Sequence, residues 1–165
     1  MTTQQKYILV AVAALVLLPL VASNSEPMTA AQLIASFEGF RAHPYWDVSR
    51  YSWGYGTPAP GPTGTITRDQ ALAELQAHSA ADLNYLQPMI SRPLNANQWA
   101  ALLSFAYNEG PGNADNLVNN INAGDDQALA AQWRLYNKVR DTAGNLVYSK
   151  TLADRREKEL ATWFA

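Results

Sequence analysis

An unbroken apolar run near the N-terminus stands apart from the rest of the hydrophobic pattern. Met1 to Lys6 is short and polar, with lysine as its only charged side chain, and Tyr7 to Ala22 is apolar throughout. At about 1.5 Å per residue, a helix of this length reaches roughly 24 Å, less than the ~30 Å hydrocarbon core of a bilayer. We therefore expect residues 1–23 to form an export segment that anchors weakly, and residues 24–165 to form a separate folded domain.

Two interpretations of this export segment remain open. It is a signal peptide in which Pro19 ends the apolar core and Val21-Ala22-Ser23 supplies the small residues for cleavage. Alternatively, it is a weak membrane tether that is later released from the bilayer without being cleaved. A buried core helix is disfavoured, because a terminal run without polar positions has no face to turn to water. Either export route would place the folded domain in the periplasm.

Helix start signals dominate the chain beyond Asn24. In three places a Thr or Asn is followed three residues later by Gln, the pattern of a capping box: Thr29–Gln32, Thr67–Gln70 and Asn95–Gln98. They predict a first helix that ends near Glu38, a long second helix, and a third helix that ends at Gly110, a natural C-cap. Apolar spacing gives the second and third helices a core face, formed by Leu72, Leu75, Leu83 and Leu86 and by Trp99, Leu102, Leu103 and Ala106.

The segments around these helices complete a mainly helical α+β pattern. Aromatic and polar residues alternate over 44–57, which predicts a small hairpin or three-stranded ribbon, and the Pro- and Gly-rich residues 58–64 predict a loop. Further along, we expect short helices over 115–122 and 127–135, a hairpin or extended loop over 138–148, and a last helix over 152–164. Leu160, Trp163 and Phe164 would pin that last helix to the core.

Composition and charge narrow the possible functions. A chain of 165 residues with 48% hydrophobic composition is expected to bury a proper core in one domain. The formal charge of -2 and the lack of a basic stripe argue against nucleic-acid binding. The sequence has no cysteine and two histidines, so it predicts neither disulfides nor thiol catalysis, and it implies no metal or cofactor.

Two carboxylates nine residues apart are the candidate chemistry. Glu38 lies among Phe37, Gly39 and Phe40 at a helix C-terminus, where burial and the helix dipole both favour an acid that keeps its proton. Asp47 has polar neighbours, which favour ionisation. One protonated and one ionised carboxyl group are what glycoside hydrolysis needs. On spacing alone, a solvent-facing glutamate and an ordinary turn aspartate remain the alternative.

A longer motif gives this pair a context. The run E-G-F-R-A-H-P-Y-W-D followed by S-W-G-Y-G-T resembles the catalytic signature of the phage lysozymes, the endolysins of glycoside hydrolase family 24. Later blocks resemble that family in the same order: S-F-A-Y-N-E-G, N-I-N-A-G-D, A-A-Q-W and L-A-D-R-R-E-K-E-L. The resemblance covers roughly residues 28–165. It implies a lysozyme-like two-lobe fold, with a small β-hairpin lobe, a long linking helix and a helical C-terminal lobe.

The resemblance also implies an activity and its residues. The activity is hydrolysis of the β-1,4 bonds between N-acetylmuramic acid and N-acetylglucosamine in peptidoglycan, with inversion. Glu38 matches the general acid, and Asp47 matches the residue that positions water and balances positive charge. The family's usual Thr six residues after the Asp is Trp53 here, so the third role passes to Ser52 if the hairpin turn is one residue shorter.

Sugar-binding candidates follow from the same comparison. Tyr107 and Asn108 are expected to line the cleft, and Trp46 is the tryptophan best placed to stack on a sugar, since it precedes Asp47. The other tryptophans are expected in the core. Arg155 and Arg156 could meet the acidic peptide of peptidoglycan, although helix arginines are more often solvated or paired.

The resemblance favours the tether over the cleaved signal peptide for residues 1–23. Some phage endolysins have a signal-anchor-release segment, which would hold the enzyme on the inner membrane facing the periplasm until release. Peptidoglycan glycan strands and the inner membrane are then the expected partners, nucleic acid is not, and the chain is expected to be a monomer. A lytic transglycosylase and a catalytically inactive wall-binding or membrane-anchored protein remain the rival functions.

Overall fold

The computed structural model describes residues 28–165, so the apolar segment over 7–22 lies outside the described residues. The described chain forms six α-helices, one short 3-10 helix (Gln87–Met89) and five short strands. The helices are α1 Ala30–Phe37, α2 Arg68–Leu86, α3 Ala96–Glu109, α4 Pro111–Ala123, α5 Asp126–Trp133 and α6 Lys150–Trp163. The strands are β1 Arg41–Asp47, β2 Arg50–Gly54, β3 Thr57–Pro58, β4 Lys138–Arg140 and β5 Leu146–Tyr148. The predicted mainly helical α+β class is confirmed.

All three predicted capping boxes are present. At the start of α1, α2 and α3, the cap side chain accepts from the backbone N–H three residues on, and the Gln side chain there accepts from the cap N–H. Each box satisfies two of the backbone donors that a helix start leaves unpaired. Gly110 caps α3 with φ +88°, as predicted from its position. Glu38 is the C-cap of α1.

Strands β1, β2 and β3 form the predicted three-stranded antiparallel sheet. Asp47 pairs with Arg50, so only Val48 and Ser49 form the turn between β1 and β2. Val48 has φ +52°, a left-handed conformation that β-branched residues rarely adopt. The turn is therefore tight, and the register places Ser52 opposite Tyr45.

Helix α2 connects two separate hydrophobic cores. The first core joins α1, the sheet region and the N-terminal half of α2, and includes Ile34, Ala71 and Leu75. The second core joins the C-terminal end of α2, where Leu86 is buried, to helices α3 to α6. Residues 100–106 of α3 are all buried, which makes α3 the central helix of that lobe. This two-core division is the expected small lobe, linking helix and helical lobe.

The C-terminal part differs from expectation in its details. The last helix starts at Lys150, two residues earlier than predicted, because the Ser149 side chain supplies the cap. Leu160 and Trp163 are buried as predicted, but Phe164 is 53% exposed, so its predicted packing is wrong. Strands β4 and β5 form the hairpin that was one of two options for 138–148. Among residues 28–165, no helix combines the length and apolar character needed to cross a membrane.

Candidate active site

Glu38 and Asp47 line one cavity of about 240 Å³ between the sheet and helices α2 and α3. Glu38 reaches it from the end of α1, and Asp47 reaches it from the last position of β1. The sequence pair is therefore brought together in one cleft, as predicted. The full lining comprises Glu38, Tyr45, Asp47, Arg50, Tyr55, Gly56, Thr57, Pro58, His78 and Tyr107.

The surroundings of Glu38 differ from the apolar setting that its sequence neighbours predict. Arg155 Nη1 donates to Glu38 Oε1 at 2.7 Å, and the Glu38 side chain keeps 31% of its surface exposed. The Arg155 guanidinium also lies over the Phe37 ring, 4.6 Å from its centroid. A guanidinium in contact with a carboxylate stabilises its negative charge. Glu38 is thus half-exposed and charge-paired rather than buried among aromatic rings.

Asp47 has the wet, polar setting that was predicted for it. The residue is exposed, and Ser52 Oγ lies 3.5 Å from Asp47 Oδ2, a long contact for a hydroxyl donor. Ser52 itself is fully buried. The two-residue turn brings the hydroxyl of Ser52, five residues after Asp47, beside the Asp47 carboxylate.

Tyr107 is the predicted sugar-binding residue that the structure places in the cleft. Its hydroxyl donates to the Tyr55 carbonyl at 3.0 Å, and its ring meets the His78 ring edge-on. Burial is the main cause that raises the pKa of Tyr107 from 10.0 to about 12, with the negative charge of Glu38 adding to it. The phenol therefore stays protonated and keeps its bond to the sheet at any physiological pH.

The other two predicted sugar contacts lie outside the cavity lining. Trp46 is 62% exposed and packs edge-on against Tyr51. The Asn108 side chain oxygen accepts from Arg156 Nη2 at 2.6 Å. The Trp46 ring is therefore open to solvent, whereas the Asn108 oxygen is already hydrogen-bonded to Arg156. Sugar binding by either residue remains a prediction.

Arg155 and Arg156 are buried and paired, so neither is free to meet an acidic peptide. Arg155 contacts Glu38 and Glu159, while Arg156 contacts Glu109 and Glu159. Desolvation is the main cause that lowers the pKa of Arg156, and Glu159 opposes it. Of the two options that the sequence left open, pairing is the one observed.

Sequence reasoning missed Arg155 as a partner of Glu38. The two residues are 117 positions apart, and the packing of both α1 and α6 against α3 brings them together. The R-R-x-x-E spacing on α6 signals only that Glu159 lies within one turn of both arginines, and it does not point to Glu38. Within residues 28–165, no group of three or more histidine, aspartate or glutamate side chains is arranged to hold a metal ion.

The sequence has relatives among phage endolysins. Residues 35–159 match the family described as Phage lysozyme. The chain is 33% identical over 136 residues to the endolysin of Bacillus phage PZA, with 78% of this chain and 51% of that protein covered. It is 30% identical over 133 residues to an endolysin of Acyrthosiphon pisum secondary endosymbiont phage 1, with 78% and 90% covered. It also matches the endolysin of Bacillus phage B103, and it spans about half the length of each of the two Bacillus phage proteins.

Solved structures show the same fold. The endolysin from Escherichia coli O157:H7 phage FAHEc1 superposes with a TM-score of 0.71 at 27% identity, covering 81% of this chain and 89% of that one. The muramidase domain of SpmX from Asticaccaulis excentricus gives a TM-score of 0.75 at 24% identity, covering 82% and 95%. At that identity the second likeness establishes the fold alone.

Proposed function

The chain belongs to the phage lysozyme family, and we propose that it hydrolyses the β-1,4 bonds between N-acetylmuramic acid and N-acetylglucosamine in peptidoglycan. The observation that supports this most strongly is that Glu38 and Asp47 line one cleft from two different elements. Such hydrolysis needs a carboxylic acid on the leaving-group side and a carboxylate that activates water or balances positive charge. The consequence for a bacterial host would be lysis.

Each carboxyl group has a role that fits its surroundings. Glu38 would donate its proton to the glycosidic oxygen, and its partly exposed side chain leaves room for the sugar to approach. Asp47 would position the attacking water and balance the oxocarbenium-like charge, which suits an exposed, ionised carboxylate. Ser52 would help to hold that water, because its hydroxyl lies beside Asp47 Oδ2.

The products of purified peptidoglycan test this proposal. Treatment with the purified full-length chain should release fragments with a free reducing end at N-acetylmuramic acid, detected by mass spectrometry. Anhydro-muramic ends would instead identify a lytic transglycosylase, which uses one acid/base group and would leave Asp47 without its role. Binding to the wall without any product would point to the inactive wall-binding alternative.

We propose further that residues 1–23 tether the enzyme to the inner membrane, facing the periplasm, until it is released as the active form. Support comes from the sequence: an apolar run of 16 residues is short for a stable span. Intact-mass measurement of the protein in membrane and periplasmic fractions separates the two routes. A tether predicts one uncleaved mass in both fractions, whereas a product that begins after Ala22 would mean a cleaved signal peptide.

A further inference from the structure

Glu38 belongs to a group of paired charges that joins the end of α1 to α3 and α6, with its two arginines and one of its carboxylates buried. We call it the buried charge cluster; it comprises Glu38, Glu109, Arg155, Arg156 and Glu159. Three carboxylates face two guanidiniums, so the cluster has an excess of one negative charge when all five groups are ionised. Of the three carboxylates, only Glu159 is fully buried.

Glu159 is held from three helices. Ser104 Oγ on α3 donates to Glu159 Oε1 at 2.8 Å, and the Trp133 indole N–H on α5 donates to Oε2 at 3.0 Å. From α6 itself, Arg155 Nε donates to Oε1 at 3.1 Å and Arg156 Nε lies 3.1 Å from Oε2. A carboxylate that accepts hydrogen bonds from Ser104, Trp133 and Arg155, on three different helices, is fixed in position.

Arg155 is shared between Glu159 and Glu38. Its Nε faces Glu159, its Nη1 donates to Glu38 at 2.7 Å, and its Nη2 reaches the Ser104 carbonyl at 3.4 Å. Because the guanidinium is planar and rigid, fixing its Nε edge on Glu159 also fixes the edge that it presents to Glu38. The position of Glu159 therefore determines how Arg155 meets Glu38.

This arrangement addresses a conflict in the proposed chemistry. A general acid must hold its proton, yet an arginine in contact with it favours proton loss. We propose that Glu159 is a positioning residue whose buried negative charge offsets Arg155, so that Glu38 keeps its proton at the pH of catalysis while staying oriented by the guanidinium. This inference rests on the proposed hydrolase function and adds a second requirement to it.

The test is the pH dependence of kcat/KM on purified peptidoglycan for the full-length chain and for Glu159→Gln. The substitution keeps an acceptor for Ser104 but removes the charge. Because Arg155 would lose its buried counter-charge, we expect the alkaline limb of the profile to move to lower pH, with activity near neutral pH falling several-fold and activity at acid pH changing little.

Other titratable groups also affect the pH profile of kcat/KM, but they are the same in the unsubstituted chain and in Glu159→Gln. Those that line the cleft beside Glu38 are Tyr45, Asp47, Arg50, Tyr55, His78 and Tyr107.

The matched control is Ser104→Ala, which removes a hydrogen bond to the Glu159 carboxylate without changing its charge. It should lower the midpoint of unfolding while leaving the alkaline limb in place. A limb that stays in place in Glu159→Gln, or that moves equally in Ser104→Ala, would overturn the inference.

A second measurement covers the case in which Glu159→Gln does not fold. Carboxyl ¹³C spectra of the unsubstituted, glutamate-labelled chain should show Glu159 ionised throughout the pH range in which Glu38 gains its proton. Protonation of Glu159 within that range would contradict its role as a fixed charge. An unsubstituted chain that releases no reducing ends at any pH would refute the hydrolase function itself, a result distinct from either outcome above.

Discussion

As the proposed general acid, Glu38 has to meet two requirements at the residue scale. Its side chain must be open enough to reach a glycosidic oxygen, and it must be held in one orientation while it does so. The partial exposure of the carboxyl group meets the first, and the 2.7 Å bond from Arg155 meets the second. A glutamine at this position would keep the orientation and lose only the transferable proton.

We therefore expect Glu38→Gln to lower kcat/KM by roughly 10²–10⁴, the usual contribution of general acid catalysis, with the thermal unfolding midpoint changed by no more than a few degrees. Release of reducing ends from peptidoglycan measures the first quantity and circular dichroism the second. Glu157→Gln is the matched control, since Glu157 is an exposed α6 residue paired with Arg134. Activity in Glu38→Gln close to that of this control would remove Glu38 from the acid role.

At the scale of elements, Glu74 fastens the sheet to helix α2. Its Oε2 accepts from the Trp53 indole N–H on β2 at 3.0 Å and from the Thr57 hydroxyl on β3. A second link is the Tyr107 hydroxyl, which donates from α3 to the Tyr55 carbonyl between those strands. Since Asp47 lies on the same sheet, these bonds determine where the second carboxylate stands relative to the first.

Glu74→Ala should therefore lower the free energy of unfolding by roughly 1–3 kcal/mol, because two donors at the sheet lose their partner. Denaturant titration measures the change, and kcat should fall in the folded variant as the sheet that holds Asp47 becomes less fixed. Gln76→Ala, an exposed position on the same helix, provides the comparison. Equal stability of the two variants would show that the Glu74 bonds do not hold the sheet in place.

Asp82 affects the stability of the whole molecule, since it is a buried carboxylate on the helix that joins the two cores. Its Oδ2 accepts no hydrogen bond, and the imidazole Nδ1 of His78 lies 3.5 Å from it. Burial is the main cause that raises the pKa of Asp82 above 3.8, and His78 opposes it only in part. The folded state therefore binds this proton more tightly than the unfolded state does.

The sign of the resulting pH dependence follows from that difference. The contribution of Asp82 to stability is fully present below pH 3.8 and is lost as the pH rises through the raised folded-state value. Asp82→Asn removes this loss, so its unfolding midpoint should equal that of the parent chain at low pH and exceed it by a few degrees at pH 7. Thermal unfolding at a series of pH values checks this. Asp69→Asn changes an exposed position on α2, so its difference in unfolding midpoint from the parent chain should not grow with pH. A difference for Asp82→Asn that stays constant with pH would contradict the role of Asp82.

The sequence by itself determined most of the local structure and named the two candidate carboxylates. Capping boxes and the Gly110 cap depend on residues three or four positions apart, so helix starts could be predicted residue by residue. Glu38 and Asp47 could be named because they lie within one short motif whose turn register also accounts for Ser52. Family membership followed from the order of such motifs along the chain.

Only the tertiary structure decided how the two carboxylates are surrounded. The partner of Glu38 is Arg155, which comes from the other end of the chain, and the partner of Arg155 is Glu159, which is buried by α3 and α5. Burial and charge pairing at these positions depend on helix packing, and no local pattern fixes which face of α6 turns inward toward α1. The same physical reason explains why Phe164 was misassigned: its exposure depends on where the last helix ends against the core.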